Sequence, residues 1–175
     1  VDAGHLQQAL EALVSHHDAL RSRFVQEGGE WKQRVELDQS GALLVREDLS
    51  DIAPERQAEA FEELAARHQA ALDLEQGPIL RVVLVNRGQG QPDRLLWIVH
   101  HLIIDGVSWR ILLEDLEQAL DQIERGEAVV LQFKTTSFQR WSECLTEYAN
   151  TSELAQEAHF WSHLAEADIA ELPID

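Results

Sequence analysis

The sequence is organised around LLWIVHHLIIDGVSW at positions 95–109. Its first five residues are apolar, with β-branched and aromatic members, and predict a buried strand. His100 and His101 follow where that strand should end, and Asp105-Gly106 comes four residues after the second histidine. From Trp109 onwards, apolar residues recur at helical spacing, which predicts a helix. A strand that delivers titratable groups into a short turn before a helix is typical of enzyme sites.

The remaining segments predict one α+β lobe. Apolar residues three and four apart predict an amphipathic helix over about 2–17, and alternating segments around Gly28-Gly29 predict a β-hairpin. We expect strands at 20–25, 31–35, 42–46, 79–85 and 95–99, and further helices at about 54–72, 108–125, after Ser137 and after Ser152. Residues 129–133 fit either a strand or a buried loop. The predicted fold is a two-layer α/β sandwich with a mixed, mainly antiparallel sheet packed by helices.

The charge balance excludes one class of partner. The chain has 14 basic and 32 acidic residues, a net charge of −18, which would repel a nucleic-acid backbone. No apolar run reaches membrane-span length and no leader pattern opens the chain, so we expect a cytoplasmic protein without a membrane partner. Cys144 is the single cysteine and fits a reducing compartment. The sequence lacks methionine, so we expect a piece of a longer protein.

His101 is the candidate catalytic residue. A neutral imidazole at a strand end can accept a proton near neutral pH, and Gly106 would leave space for a ligand. The N-terminus of the following helix could stabilise an oxyanion or enolate. His100 should face the opposite way. Two alternatives stay open: a buried structural His–Asp pair, and, less favoured, metal binding by His100, His101 and Asp105.

Asp105 has two possible tasks. It could orient the catalytic ring, or it could pair with a buried arginine, for which Arg21 and Arg23 are the candidates. We favour the ion pair, because a buried carboxylate needs a cation. The isolated histidines are expected at the surface or the core edge: His5, His68, His159 and His163.

Two motifs carry a resemblance to a known family. His100–Gly106 resembles the HHxxxDG signature of the condensation-domain superfamily of nonribosomal peptide synthetases. Residues 16–24 are similar to a second family motif, RHExLRTxF, with His16 in place of the first Arg and Asp18 in place of Glu. The continuation through Ser108-Trp109, with KTTSF at 134–138, resembles the epimerization subtype.

The resemblance implies a chloramphenicol-acetyltransferase-like fold of two lobes. Residues 1–175 would be the N-terminal lobe, and the first strand and the C-terminal lobe would lie outside this sequence. The implied reaction is L-to-D epimerization of the α-carbon of an aminoacyl or peptidyl thioester. An upstream peptidyl carrier domain would present that substrate on 4′-phosphopantetheine, and the lobe itself would hold no cofactor and no metal.

The implied site residues follow the first motif. His101 would be catalytic and would face a glutamate of the C-terminal lobe across the substrate. The supporting residues would be His100, Asp105, Gly106, Ser108 and Trp109. We expect Ser108 to cap the helix and Trp109 to pack in the core.

Other functions remain open. The lobe could belong to a condensation domain that joins two carrier-bound substrates, or act only as a scaffold or docking surface; a standalone acyltransferase is the least favoured. We also expect the isolated lobe to be inactive and to expose an apolar patch where the C-terminal lobe should sit.

Overall fold

The computed structural model describes residues 2–37 and 42–165, which divide into two compact units, one ending at Phe133 and one beginning at Lys134. The first unit contains α1 (Ala3–His16), β1 (Ser22–Glu27), β2 (Glu30–Val35), β3 (Leu44–Asp48), α2 (Gln57–Ala70), β4 (Leu80–Asn86), β5 (Arg94–Val99) and α3 (Gly106–Glu124). The second contains α4 (Phe138–Ala149) and α5 (Ser152–Ala165). No helix of the described residues is both long and apolar enough to cross a bilayer.

The described strands form two sheets. β1 and β2 make the predicted antiparallel hairpin, and Gly28 and Gly29 at its turn have φ values of 61° and 86°, a region that favours glycine. The second sheet has the order β3-β4-β5, with β3 parallel and β5 antiparallel to β4. The prediction of a mixed, mainly antiparallel arrangement is therefore confirmed.

Both faces of the three-stranded sheet are covered by helices. Successive side chains of a strand point to opposite faces, and β4 is buried on both. Leu80 and Val82 pack with α1 and α3, whereas Val83 and Val85 pack against Leu64 of α2. The predicted α+β lobe is confirmed, and α1 and α3 cover one face while α2 covers the other.

Four segments differ in detail from their predictions. β1 (Ser22–Glu27) and β3 (Leu44–Asp48) each begin two residues later than predicted. β5 was predicted as a buried strand and is half-exposed, because it lies at the edge of the described sheet. Residues 129–133 form a loop rather than a strand, but the loop is not buried as predicted: Val129 and Leu131 are half-buried against the core, whereas Val130 and Phe133 are exposed.

His68 was expected at the surface or core edge and is instead 5% exposed. Its Nε2 lies 2.7 Å from Glu47 Oε1, and its Nδ1 lies 3.3 Å from Arg81 Nη1. Because Arg81 can only donate, the neutral ring carries its hydrogen on Nε2 and donates it to Glu47. Burial works to raise the pKa of Glu47, but the hydrogen bond from His68 and the charge of Arg67 outweigh it, so that pKa is lowered.

Truncation of a core side chain should test this packing. Leu10 of α1 is 2% exposed and Leu37 is 93% exposed. We expect Leu10→Ala to lower the free energy of unfolding by about 2–5 kcal/mol, because it removes buried contacts and leaves a cavity. The matched change Leu37→Ala should cost less than about 0.5 kcal/mol. Urea unfolding measures both, and equal losses would contradict the described core.

Candidate functional site

The turn after β5 is closed by main-chain hydrogen bonds. The backbone N–H of His100 donates to the carbonyl of Ile79 at 2.9 Å, which continues the pairing of β5 with β4 for one more residue. The N–H of Ile103 then donates to the carbonyl of His100 at 3.1 Å. Ile104 is buried in the core. The backbone that carries His101 is therefore tied to the sheet before it and to the core after it.

The two histidines of this turn are in different environments. His100 is half-buried, and its Nδ1 accepts the backbone N–H of Leu102 at 3.2 Å, so the neutral ring carries its hydrogen on Nε2. His101 is exposed, and within the described residues its ring has no hydrogen-bond partner. His101 thus presents a free imidazole to the outside, whereas His100 is engaged by its own turn.

Asp105 caps α3 rather than pairing with an arginine. Its carboxylate is exposed and accepts the Ser108 hydroxyl at 2.6 Å and the Ser108 backbone N–H at 2.7 Å. Both hydrogen bonds lower the pKa of Asp105, and the one from the hydroxyl does so more than the one from the backbone N–H. Asp105 is the N-cap, and Ser108 supports it from the first turn. The prediction that Ser108 itself caps the helix was therefore wrong.

The two candidate partners of Asp105 are engaged elsewhere. Arg21 donates to the carbonyls of Ser15 and Glu36 at 2.8 and 2.9 Å and pairs with Asp18 at 2.8 Å. Arg23 is buried and donates to the carbonyl of Ser22 at 2.8 Å. The predicted Asp105–arginine ion pair was wrong, because an exposed carboxylate stays hydrated and needs no buried cation.

The remaining predicted residues shape the turn. A Cβ built on Gly106, the first residue of α3, would meet no atom within 4 Å, so the space beside the turn is open. Trp109 is half-buried and packs against the core, with its ring centroid 6.0 Å from that of Trp97. The expected packing role of Trp109 agrees with this contact.

Two cavities of about 270 and 320 Å³ lie elsewhere, one beside β3 and β4 and one at the start of α2, and His101 lines neither. Within residues 2–37 and 42–165, no three His, Cys, Asp or Glu side chains converge as a metal-ligand set would. The candidate site is thus an open turn with one imidazole that is unengaged among the described residues.

Sequence reasoning missed a polar contact behind this turn. His17 Nε2 lies 2.7 Å from Asp115 Oδ2, and Asp115 is 8% exposed on α3. One signal was available, because Asp115 stands among the buried apolar positions of its helix: Leu112, Leu116 and Ala119. The partner could not be read from the pattern, since 98 residues separate the pair.

Comparison with known proteins identifies the family. The Condensation domain family matches residues 1–175. The chain belongs to this family. A linear gramicidin synthase of Brevibacillus parabrevis is 45% identical over 161 residues, which are 92% of this condensation-family chain and 3% of that protein. Tyrocidine synthase 2 of the same organism is 40% identical over 177 residues, which are 99% of this chain and 5% of that protein. The chain therefore spans a small part of its curated relatives.

Solved structures share the fold. The epimerization domain from the third module of tyrocidine synthetase B superimposes with a TM-score of 0.86 at 38% identity, covering 99% of this chain and 39% of that one. The starter condensation domain of rhizomide synthetase gives a TM-score of 0.78 at 19% identity, covering 98% of this chain and 42% of that one. This second likeness concerns the fold alone, so the fold is common to an epimerization and a condensation domain.

The cap of α3 in this condensation-family chain predicts a pH dependence. The pKa of Asp105 is below its ordinary value of 3.8 in the folded chain, so its charge stabilises folding above that value. This stabilisation is lost as the pH falls through the folded pKa. We expect Asp105→Asn to lower the free energy of unfolding at pH 7 and the difference from the parent to shrink below about pH 4.

Asp121→Asn is the matched control, because that exposed carboxylate lies on the same helix and its side chain has no hydrogen bond among the described contacts. The change in the free energy of unfolding caused by Asp121→Asn should vary less between pH 7 and pH 3 than the change caused by Asp105→Asn. Urea unfolding across this range measures both variants, and a pH-independent loss in Asp105→Asn would contradict the charged cap.

Proposed function

We propose that this chain is the N-terminal lobe of an epimerization domain of a nonribosomal peptide synthetase, with His101 as an acid/base group. The proposal rests on one observation, the exposed and unengaged ring of His101 on a turn fixed by β4 and the core. The likeness to an epimerization domain at 38% identity supports the choice of reaction. The substrate is an aminoacyl or peptidyl thioester on the 4′-phosphopantetheine of an upstream peptidyl carrier domain.

The reaction begins with removal of the α-proton. A thioester acidifies its α-carbon, so a positioned imidazole can take that proton: the C–H bond breaks, its electron pair enters the enolate, and the proton goes to a ring nitrogen of His101. The open space beside Gly106, at the start of α3, would admit the enolate oxygen. The carbon is inverted when a proton arrives from the opposite face.

Inversion requires a second acid/base group. A single base returns the proton to the face from which it came, so the group that reprotonates the carbon must stand across the substrate from His101. We assign this part to the glutamate that the family resemblance places in the C-terminal lobe. The same lobe would cover the exposed turn and exclude water, which strengthens the electrostatic interactions of the site.

The second unit supplies a surface that the C-terminal lobe would cover. One face of α4 carries apolar residues at helical spacing that are 46–64% exposed: Phe138, Trp141, Leu145 and Tyr148. The opposite face is polar, with Arg140 beside Glu143 and Glu147. An exposed aromatic stripe of this kind is typical of an interface, and it agrees with the expected patch.

The rival function is condensation, which would use the same histidine on two carrier-bound substrates. The fold does not discriminate, because a starter condensation domain has it too. The Ser108-Trp109 continuation favours epimerization. Incubating the intact domain with a donor and an acceptor thioester distinguishes the two reactions: a new peptide bond would favour condensation, and α-proton exchange without a new bond would favour epimerization.

Substitution of His101 tests the proposal. In the intact domain, His101→Ala should reduce solvent-deuterium incorporation at the α-carbon of the carrier-bound thioester by about 10²–10⁴-fold, because the base on one face is lost. Mass spectrometry of the released amino acid measures the incorporation. The matched control is His5→Ala, since His5 lies in the first turn of α1, and it should exchange at the parent rate. Parent-level exchange in His101→Ala would refute the proposed role.

The isolated 175 residues should not catalyse this exchange. They lack the second acid/base group and the covering lobe, so water reaches the turn freely. The isolated chain should also bind the dye ANS more strongly than the intact domain does, because the face of α4 stays uncovered. Exchange above the buffer rate by the isolated chain would contradict the assignment of the second group to the missing lobe.

A further inference from the structure

A hydrogen bond links α1 to α3 behind the histidine turn. His17 directly follows α1, and its backbone N–H donates to the carbonyl of Leu13 at 2.8 Å, which holds the residue against the helix end. Its Nε2 reaches Oδ2 of Asp115 at 2.7 Å. The side chains are 24% and 12% exposed. The ring therefore joins a fixed point on α1 to the middle of α3.

The surroundings of Asp115 make the loss of its contact with His17 unfavourable. Asp115 shares the buried face of α3 with Leu112 and Leu116, and His17 is its single hydrogen-bond partner among the described residues. A buried carboxylate that loses its partner pays a large desolvation cost. The hydrophobic effect between apolar side chains, in contrast, is non-directional. The polar pair thus permits one placement of α3 on α1.

The placement of α3 sets the placement of the histidine turn. The helix runs unbroken from Gly106 to Glu124, so Asp115 and the cap at Asp105 move together as one rigid rod. At about 1.5 Å per residue the two lie about 15 Å apart along the axis. Asp105, whose side chain accepts the two hydrogen bonds from Ser108, lies four residues after His101. A slide or rotation of α3 would therefore pull on the backbone that carries the catalytic ring.

We propose that His17 and Asp115 are positioning residues, whose hydrogen bond fixes the rotation and axial position of α3 and thereby aims His101 at the α-carbon. This inference rests on the proposed function of His101. It adds that catalytic geometry depends on a polar contact in the core of the lobe, remote from the reacting atoms. A shift of about 1 Å in a catalytic group can cost about a hundredfold in rate.

The test distinguishes an effect on the position of His101 from an effect on the folding stability of the domain. The double variant His17→Leu/Asp115→Leu replaces the pair by apolar groups, which should keep the intact domain folded with a melting temperature near that of the parent. We expect its maximal rate of α-deuterium exchange to fall about tenfold or more, with the KM for the carrier thioester within about twofold of the parent. The substrates are the L-aminoacyl thioesters of the nineteen chiral proteinogenic amino acids, loaded on the peptidyl carrier domain of the proposed function.

Two further variants act as controls. Asp115→Asn keeps an acceptor for the His17 Nε2 hydrogen and should restore at least half of the parent rate. His68→Leu removes the matched histidine–carboxylate contact, with Glu47 at 2.7 Å, on the other face of the sheet. His68→Leu should lower the melting temperature of the domain. The maximal rate of α-deuterium exchange per folded molecule should stay at the parent level. Equal rate losses in His68→Leu and in the double variant would overturn the positioning role.

A readout without substrate distinguishes this inference from the proposed function. Trp109 lies in the first turn of α3 and packs on Trp97 of β5, so fluorine NMR of 5-fluorotryptophan reports the placement of the helix. The resonance of Trp109, assigned with Trp109→Phe, should move in the double variant and not in Asp115→Asn. An unmoved resonance would refute the positioning role. A moved resonance in a domain that exchanges no α-proton would refute the proposed function alone.

A conservative variant covers the case in which the double variant does not fold. Asp115→Glu keeps the charge and the pairing but moves the carboxylate by one methylene group. We expect it to fold, to move the Trp109 resonance and to lower the maximal exchange rate severalfold. An Asp115→Glu domain with the parent resonance and the parent rate would contradict the inference.

Discussion

The antiparallel pairing of β4 with β5 is the constraint on which the histidine turn depends. In this pairing Val85 faces Arg94 at one end and Leu80 faces Val99 at the other. The hydrogen bond from the His100 N–H to the Ile79 carbonyl extends it by one residue. β4 is buried on both faces, whereas β5 is the half-exposed edge strand of this sheet and is held by its pairing with β4. The backbone before His101 therefore has little freedom, although the ring itself is exposed. A rigid strand end fixes the position of the side chain that follows it, as the proposed acid/base role of His101 requires.

The helix α3 connects this turn to the core. Its N-terminus holds the Asp105 cap, its first turn stacks Trp109 against Trp97, and its middle contacts α1 through Asp115. One helix thus serves both packing and the proposed chemistry. The hydrogen bond between Asp115 and His17 fixes both the distance and the angle between its partners. Apolar packing does not impose such a direction.

Local patterns predicted the elements, whereas the polar contacts between distant segments were missed. The hairpin followed from alternation around Gly28-Gly29, and the strand before the histidine turn followed from its run of apolar residues. Asp105 was assigned to an arginine although Asp-x-x-Ser before a helix is also a capping pattern. The contacts of His68 and His17 join residues 21 and 98 positions apart, and periodicity carries no information at such separations.

The distance between the ring of His101 and the α-carbon of the proposed thioester tests the proposed chemistry most directly. A crystal structure of the intact domain with a carrier domain bearing a non-reactive aminoacyl-pantetheine amide would measure it. We expect a ring nitrogen of His101 within about 3.5 Å of the α-carbon, with the second acid/base group across that carbon. An α-carbon bound beyond about 6 Å from the ring, with another side chain at reacting distance, would contradict this role of His101.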